Sequence, residues 1–283
     1  MNASGKAGIG RGRVLFVDTH VHIYNVFDLD ALFDSAVNNF TRAARAAGVT
    51  AAPQEGMLLL TETASDHAFD ALASGERLPQ RWKISATPEP AVLAVTRPGQ
   101  MPLWLVAGRQ IATEEDLEVL ALGTTQRFPD GEPFQVSIAK AERAAALTAL
   151  PWGFGKWWGQ RGVIIEKTMR APRDRALFLG DNGGRLSLTT RPRLLRLGER
   201  SGLKVLPGTD PLPFAGQEFR VGSFGMLLPE WDSCGRPLEQ LVARLVGAPA
   251  SPAEFGGLTG MATFVKLQIA MQLRKRARRS AAA

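Results

Sequence analysis

The chain has 283 residues, of which 45% are hydrophobic, and its formal net charge is +7. This length and apolar content allow a substantial core, which excludes a mainly disordered protein. The single cysteine, Cys234, cannot form an internal disulfide, and no apolar run is long enough for a signal peptide or a membrane span, so we expect a cytoplasmic protein.

Most of the excess positive charge lies near the C-terminal end of the sequence. Five basic residues between positions 274 and 279 supply +5, so the rest of the chain is close to neutral. Basic residues in the last turn complement a helix dipole, so we expect a solvated helix end. The alternative is contact with a nucleic acid or an anionic membrane surface, but no interleaved aromatic residues strengthen the nucleic-acid signal. We expect a flexible basic tail at residues 1–12, a single domain at 13–273 and a basic tail at 274–283.

Hydrophobic patterning predicts strands and helices that alternate along most of the chain. Residues 13–21 read as a buried strand, and Asp28 and Gly48 are suited to begin and end the amphipathic helix that follows. A strand at 56–61 comes next, and closely spaced strands lie between residues 82 and 122. The remaining predicted elements are an Ala-rich helix at 136–150, strands at 162–166, 176–180 and 203–206, and helices at 238–245 and 258–273.

This alternation predicts an α/β fold, specifically a distorted (β/α)7–8 TIM-like barrel with antiparallel edge strands around residues 82–122. Active sites in such barrels form at the C-terminal ends of the strands. Polar residues follow the predicted strands at those ends: His20, His22, Glu62, Arg109, Gln110, Glu166, Asp181, Asn182 and Asp210.

Two of the three histidines lie two residues apart, in the sequence Asp18-Thr19-His20-Val21-His22. Side chains in a strand alternate between faces, so Asp18, His20 and His22 are expected on one side. Two imidazoles that converge from one strand provide half of a metal site or a pair of proton-transfer groups.

The strand followed by Asp-Thr-His-Val-His resembles the opening motif of two groups of metal-dependent barrel hydrolases. These are the amidohydrolases and the PHP (polymerase and histidinol phosphatase) phosphoesterases. Residues 208–211, Gly-Thr-Asp-Pro, are similar to their final-strand motif, in which the Asp binds metal and helps to activate water. Residues 105–123 are similar to a PHP segment in which Gly-x-Glu precedes a strand ending in Leu-Gly, so the resemblance favours PHP.

The sequence also departs from both families. PHP proteins usually carry Thr-Asp-His where this chain has 61–63, Thr-Glu-Thr. Their Gly-x-Glu is here Gly-Arg-Gln at 108–110, and their terminal Asp-x-His is Asp-Pro-Leu at 210–212. Amidohydrolases need later histidines, and none follows His67. The ligands for a three-metal cluster are therefore missing.

A reduced site remains possible. His20, His22 and Asp210, with Glu62 or Glu166, would hold one zinc or manganese ion and a water molecule. The alternative is a metal-free site in which Arg109 occupies the space of the lost metal and binds an anion. A third interpretation of Arg109 is structural, namely an ion pair with Glu62 or Glu166.

Residues 151–162 combine three tryptophans, four glycines and two cations. This composition suits a binding loop that includes Trp152 and Lys156, or an aromatic cluster that fills one end of the fold. Residues 179–185, which contain Asp181, Asn182 and Arg185, form either an ordinary turn or part of the site.

Three functions are consistent with this sequence. The first is a metal-dependent hydrolase that acts on a small anionic substrate such as a phosphoester, with Asp210, His22 and Glu62 in catalysis. The second is a catalytically inactive barrel that serves as a binding or scaffold protein, and the third is a metal-free lyase or isomerase. The predicted substrate-binding residues are Arg109, Gln110, Trp152, Lys156, Asp181, Asn182 and Arg185.

Overall fold

The computed structural model describes residues 13–50, 54–172, 175–183, 185 and 190–257. The two predicted basic tails and the helix predicted at 258–273 lie outside the described residues. No helix in the described part of the chain is long and apolar enough to cross a membrane.

The described residues form twelve strands, six α-helices and one short 3-10 helix at Gln217–Arg220. The strands are β1 (Arg13–Val21), β2 (Gln54–Leu60), β3 (Lys83–Ala86), β4 (Val92–Thr96), β5 (Leu103–Val106), β6 (Gly108–Ala112), β7 (Glu118–Leu122), β8 (Leu147–Pro151), β9 (Leu177–Asn182), β10 (Lys204–Gly208), β11 (Phe224–Trp231) and β12 (Ala253–Gly256). The helices are α1 (Leu29–Ala47), α2 (Ala68–Ser74), α3 (Phe134–Ala144), α4 (Gln160–Arg170), α5 (Arg193–Arg200) and α6 (Pro237–Gly247).

The predicted TIM-like barrel is wrong, because the strands form two separate mixed sheets. The first has seven strands in the order β12-β11-β1-β2-β5-β4-β3, and the second has five in the order β10-β9-β8-β7-β6. The two edges of β1 are taken by β2, which is parallel to it, and by β11, which is antiparallel. Since β11 occupies the edge where β10 would have to pair, the strands do not close into a barrel.

Antiparallel pairing does occur between residues 83 and 122, but it is divided between the two sheets. Strands β3, β4 and β5 pair antiparallel in the seven-stranded sheet, whereas β6 and β7 form a hairpin in the five-stranded sheet.

The buried apolar residues form three layers around the sheets. Alternate residues of β1 serve different layers: Phe16 packs with α1 on the outer face, and Val17 packs between the two sheets. Residues of α3, α4 and α5, such as Ile138 and Ile165, cover the outer face of the five-stranded sheet. The central strands of both sheets are therefore buried on both faces, which explains their apolar sequences.

The structure confirms the predicted ends of α1. The side chain of Asp28 accepts a hydrogen bond from the backbone N–H of Ala31 at 2.8 Å, and Gly48 ends the helix with a left-handed φ of 72°.

Two other element predictions are wrong. The Ala-rich helix ends at Ala144, and Leu147–Pro151 form strand β8. Residues 162–166, predicted as a strand, belong to α4, where the buried residues Gly162, Ile165 and Met169 follow helical spacing. A run of two isoleucines does not by itself distinguish a buried strand from a helix.

Outside the regular strand pairs, backbone hydrogen bonds join the two sheets at a histidine junction and at an arginine junction. At the histidine junction (His20, Gly208 and Asp210), the N–H of Asp210 donates to the carbonyl of His20 at 2.8 Å. At the arginine junction (Glu62, Gly108 and Arg109), the N–H of Glu62 donates to the carbonyl of Gly108 at 3.1 Å.

Each junction depends on a glycine that permits a close backbone approach. A Cβ on Gly208 would lie 2.4 Å from the backbone nitrogen of His20, and a Cβ on Gly108 would lie 2.3 Å from the carbonyl oxygen of Leu60. Any larger residue would force the sheets apart at these points.

Candidate metal centre

The histidine junction brings together residues that are far apart in the sequence. The Nε2 atoms of His20 and His22 lie 3.3 Å apart, and each lies 3.5 Å from Oδ1 of Asp210. Both imidazoles are buried, and the carboxylate is partly exposed. These three side chains could hold a metal ion, since their ligand atoms all lie within 4.8 Å of one another.

The spacing of these atoms is that of ligands around one cation. Ligands held about 2.0–2.2 Å from an ion in tetrahedral or octahedral geometry lie roughly 3.0–3.5 Å from each other. The distances within the cluster fall in this range. Two imidazole nitrogens and one carboxylate oxygen suit zinc or manganese, so the residues present fit one divalent ion.

The charge states of the side chains also favour a cation. Burial and, to a smaller extent, the neighbouring His20 lower the pKa of His22 to about 4, so His22 is neutral near pH 7. Burial alone would raise the pKa of Asp210, but electrostatic interactions with His20, His22, Lys156 and Arg220 hold it below its usual value. Neutral imidazole and ionised carboxylate are the forms that ligate metals.

The convergence of His20 and His22 depends on an irregularity in β1. The register with β2 shifts between Asp18 and Val21, where three steps along β1 match two along β2. An extra residue inverts the alternation of side chains, so Asp18 does not share a face with the two histidines. The prediction that all three project to one side is therefore wrong for Asp18.

Asp18 instead ties the strands of the junction together. Its carboxylate accepts hydrogen bonds from the N–H and hydroxyl of Thr209, at 2.9 and 2.6 Å, and from the N–H of Gly222 at 2.9 Å. Burial raises the pKa of Asp18 to about 6, although these hydrogen bonds oppose the shift. Asp18 positions the segment that carries Asp210.

Glu62, a predicted catalytic residue and alternative ligand, pairs with Arg109 and the backbone of Phe69 and not with the histidines. Its Oε2 lies 2.6 Å from Nη1 of Arg109, and its Oε1 accepts from the N–H of Phe69 at 2.6 Å. Burial raises the pKa of Glu62 to about 7, against the effects of the Phe69 N–H and of Arg109. Arg109 also donates to the carbonyl of Asp66 at 2.9 Å.

Arg109 is therefore a structural partner of Glu62, as the third interpretation of the sequence expected. The prediction that Arg109 and Gln110 share one site is wrong because adjacent residues of a strand face opposite sides. Gln110 is the one that faces the centre, and its Oε1 lies 3.1 Å from Nε2 of His20.

Glu166, the other predicted ligand, lies on α4 away from the histidines. Its carboxylate pairs with Arg170 at 3.0 Å and with Arg193 at 3.2 Å. These two guanidiniums lower its pKa through hydrogen bonds. Glu166 belongs to the surface of the helical layer and takes no part in the centre.

Two adjacent residues of β9 have different roles. Asn182 donates from Nδ2 to Oδ2 of Asp210 at 2.8 Å, so it contacts the centre as predicted. Asp181 is buried in a bidentate ion pair with Arg185, with distances of 2.8–3.1 Å. This pairing gives Asp181 and Arg185 a structural role.

The Trp-rich segment is partly core and partly surface. Trp152 and Trp157 are buried in the layer that covers the five-stranded sheet, whereas Phe154 and Trp158 are 51% and 63% exposed. Lys156 is half-buried, and its Nζ donates to the carboxylate of Glu118. Among the predicted substrate-binding residues of this segment, Lys156 is the one whose charge acts on Asp210.

Three residues near the centre are not among the predicted site residues. The hydroxyl of Thr61 lies 3.4 Å from Nε2 of His22, and Glu118 accepts from Nε2 of Gln110 at 3.1 Å. The positive charge of Arg220 lowers the pKa of Asp210. Thr61 directly follows β2 and could have been found by the strand-end rule, but Glu118 and Arg220 carry no local signal.

No family model matches this chain, and no curated protein matches it. A solved structure, the crystal structure of PsfC from Pseudomonas syringae PB-5123, is similar with a TM-score of 0.52 and 15% sequence identity. The alignment covers 94% of this chain and 99% of PsfC. At this identity the likeness shows a shared fold alone, and the resemblance to PHP proteins stays a prediction.

Proposed function

We propose that this protein is a hydrolase that uses one divalent metal ion to act on a small anionic substrate, with phosphoesters as the leading class. The observation that carries this proposal is the convergence of three ligand atoms from His20, His22 and Asp210 at spacings of 3.3–3.5 Å. A bound divalent ion supplies Lewis acidity and lowers the pKa of a nearby water to about 7.

The preference for an anion is supported by two cations beside Asp210. Lys156 and Arg220 both exert their positive charge on this carboxylate, and both are half-buried. A guanidinium and an ammonium group in such a position bind phosphate oxygens and offset the charge that develops during phosphoester hydrolysis. In this proposal they take the anion-binding role predicted for Arg109.

Metal content tests the first half of the proposal. Protein purified without chelator, and apoprotein titrated with Zn²⁺ or Mn²⁺, should bind one ion per chain. We expect His20→Ala to abolish this binding and His67→Ala to preserve it. His67 is a suitable control because it is exposed at the start of α2, and its side chain makes no capping hydrogen bond there. Absence of binding by the unmodified protein, or full binding by His20→Ala, would contradict the proposed centre.

Hydrolysis tests the second half. Water is added across the P–O bond, so that phosphate takes the hydroxyl group and the alcohol leaves with a proton. The metal-loaded protein should cleave p-nitrophenyl phosphate or its diester faster than the neutral p-nitrophenyl acetate. Lys156→Met and Arg220→Met should raise KM for the anionic esters. Lys140→Met is the control, since Lys140 pairs with Glu132 away from the centre.

A second candidate function is a binding protein without catalysis, and the exposed aromatic pair favours it. The rings of Phe154 and Trp158 contact each other edge to face with centroids 5.2 Å apart, and both are exposed to solvent. Aromatic residues in such a position are typical of interfaces. Metal binding without turnover of any anionic ester would favour this alternative.

A further inference from the structure

We propose that Gln110 supplies a fourth ligand oxygen to the metal centre and that Glu118 is the positioning residue that aims it. The inference rests on the proposed function, since it assumes an ion at His20, His22 and Asp210. It adds an amide oxygen to two imidazoles and one carboxylate.

Three polar atoms crowd around Nε2 of His20. Its Nε2 lies 3.1 Å from Oε1 of Gln110, 3.3 Å from Nε2 of His22 and 3.5 Å from Oδ1 of Asp210. Nε2 of an imidazole carries at most one hydrogen, so His20 can donate from this atom to only one of these three neighbours. A cation at the centre of the group would satisfy all four atoms together.

Glu118 orients the side-chain amide of Gln110. Nε2 of Gln110 donates to Oε1 of Glu118 at 3.1 Å, and Lys156 donates to the same carboxylate oxygen. An ionised carboxylate only accepts hydrogen bonds, so it selects the amide nitrogen of Gln110. The carbonyl oxygen must then point the other way, towards the histidines.

The β6–β7 hairpin places Gln110 close to Glu118. Gln110 is opposite Leu120, and Ala112 is opposite Glu118. Residues two apart on a strand share a face, so Gln110 and Glu118 lie diagonally on the same face of the hairpin. The Lys156–Glu118 contact then fixes the carboxylate from the Trp-rich segment.

The donor set has a consequence for the substrate. Asp210 is the single anionic ligand in this group, so a divalent ion would keep a net positive charge of one. Lys156 and Arg220 add to the positive potential, and both act on Asp210. A centre of this charge favours an anionic substrate as the next ligand.

Metal affinity provides the first test. Zn²⁺ should be titrated against a chromophoric chelator, and Co²⁺ binding should be followed by its visible absorption. Gln110→Met has a similar shape without the oxygen, and it should weaken Zn²⁺ binding roughly 10- to 100-fold and change the Co²⁺ spectrum. Gln54→Met is the matched control, because Gln54 is also a half-buried strand residue and its amide bonds the carbonyl of Val49 instead.

The role of Glu118 needs a separate set of variants. Glu118→Met removes the acceptor and should weaken Zn²⁺ binding by about tenfold or more, whereas Glu118→Gln retains an acceptor and should recover part of the loss. Glu132→Met is the control, since Glu132 is another half-buried glutamate paired with a lysine. In the Gln110→Met background, Glu118→Met should have little further effect, because the two residues act as one unit.

The outcomes separate this inference from the proposed function. If the unmodified protein binds Zn²⁺ and both Gln110→Met and Glu118→Met bind it equally well, the inference is overturned while the three-residue centre stands. If Glu118→Met weakens binding equally in both backgrounds, Glu118 acts through its charge and the positioning role is wrong. Absence of binding by the unmodified protein overturns both proposals.

Discussion

The histidine junction and the arginine junction are built alike but satisfy their polar groups differently. Both lie where the two sheets meet, and both depend on a glycine with no room for a Cβ. At the arginine junction, Glu62 and Arg109 form a buried ion pair at 2.6 Å. At the histidine junction, the ligand atoms of His20, His22 and Asp210 face one another at distances of 3.3–3.5 Å.

This difference shows how one backbone arrangement gives either a structural contact or a candidate binding site. Arg109 is a cation supplied by the chain itself, and it forms an ion pair with the carboxylate of Glu62. The histidine junction offers the same kind of space to a cation from solution. Buried Nδ1 of His22 has no hydrogen-bond partner among the described residues, which adds to the contrast with the fully bonded ion pair.

The largest expected effect is the removal of Arg109. Arg109→Met leaves the carboxylate of Glu62 buried without its partner, which should lower the free energy of unfolding by about 3–5 kcal/mol near pH 8. The loss should be smaller at pH 5, where Glu62 is protonated. Denaturant unfolding measures both values. Arg236→Met is the control, because Arg236 is exposed and pairs with exposed Glu239, and equal losses in the two variants would contradict this interpretation.

The glycine junctions come next in size. Gly208→Ala places a Cβ 2.4 Å from the nitrogen of His20, so the free energy of unfolding should fall by about 1–3 kcal/mol. It should also weaken Zn²⁺ binding, because Asp210 moves with β10. Gly247→Ala, at the end of α6 with no atom within 4 Å, should be neutral or slightly stabilising. An unchanged Zn²⁺ affinity in Gly208→Ala would show that the centre does not depend on this approach.

The pH dependence of stability tests the raised pKa of Glu62. Its pKa is about 7 when folded and close to 4.5 when unfolded, so the unfolded chain releases this proton first as the pH rises. The contribution of Glu62 to the free energy of unfolding is complete below about pH 4.5 and is lost as the pH rises through about 7. The unmodified protein should therefore lose stability relative to Glu62→Gln across this window, by at most about 1.4 kcal/mol per pH unit. Parallel stability curves for the two proteins would show that Glu62 ionises normally.

The smallest expected effect concerns Asn182. Asn182→Ala removes the hydrogen bond to Oδ2 of Asp210. Since the backbone still holds Asp210 in place, Zn²⁺ affinity should fall about tenfold at most. Asn39→Ala is the control, since Asn39 bonds the carbonyls of Phe219 and Val221 instead. A loss as large as that of His20→Ala would make Asn182 more than a supporting contact.

Most strand positions could be predicted from the sequence, but their arrangement could not. Apolar runs identify β1, β2, β9 and β10, because strands buried on both faces need continuous apolar residues. Hydrophobic patterning does not predict β11, although the antiparallel pairing of β11 with β1 is what prevents a closed barrel. Pairing between distant strands has no signature in local periodicity.

The candidate site likewise combines residues that the sequence identifies with contacts that it does not. Two histidines at a strand end and an Asp after a later strand are visible in the sequence, and the structure brings them together. The sequence could not assign Glu62 and Arg109 to each other, or separate Arg109 from Gln110, because both outcomes depend on the register of β6. The shifted register of β1 likewise decides that Asp18 faces away from the histidines.

The amino-acid sequence specifies which residue types are available: two neighbouring imidazoles, an Asp after a late strand, and glycines and cations near them. Residue type fixes the capacity of a side chain to ligate, ionise or form hydrogen bonds. The tertiary structure decided which of these groups meet, since contacts such as His20 with Asp210 and Glu62 with Arg109 join distant segments. A contact of that kind depends on strand pairing and on the close backbone approach at Gly108 and Gly208, and not on local sequence preference.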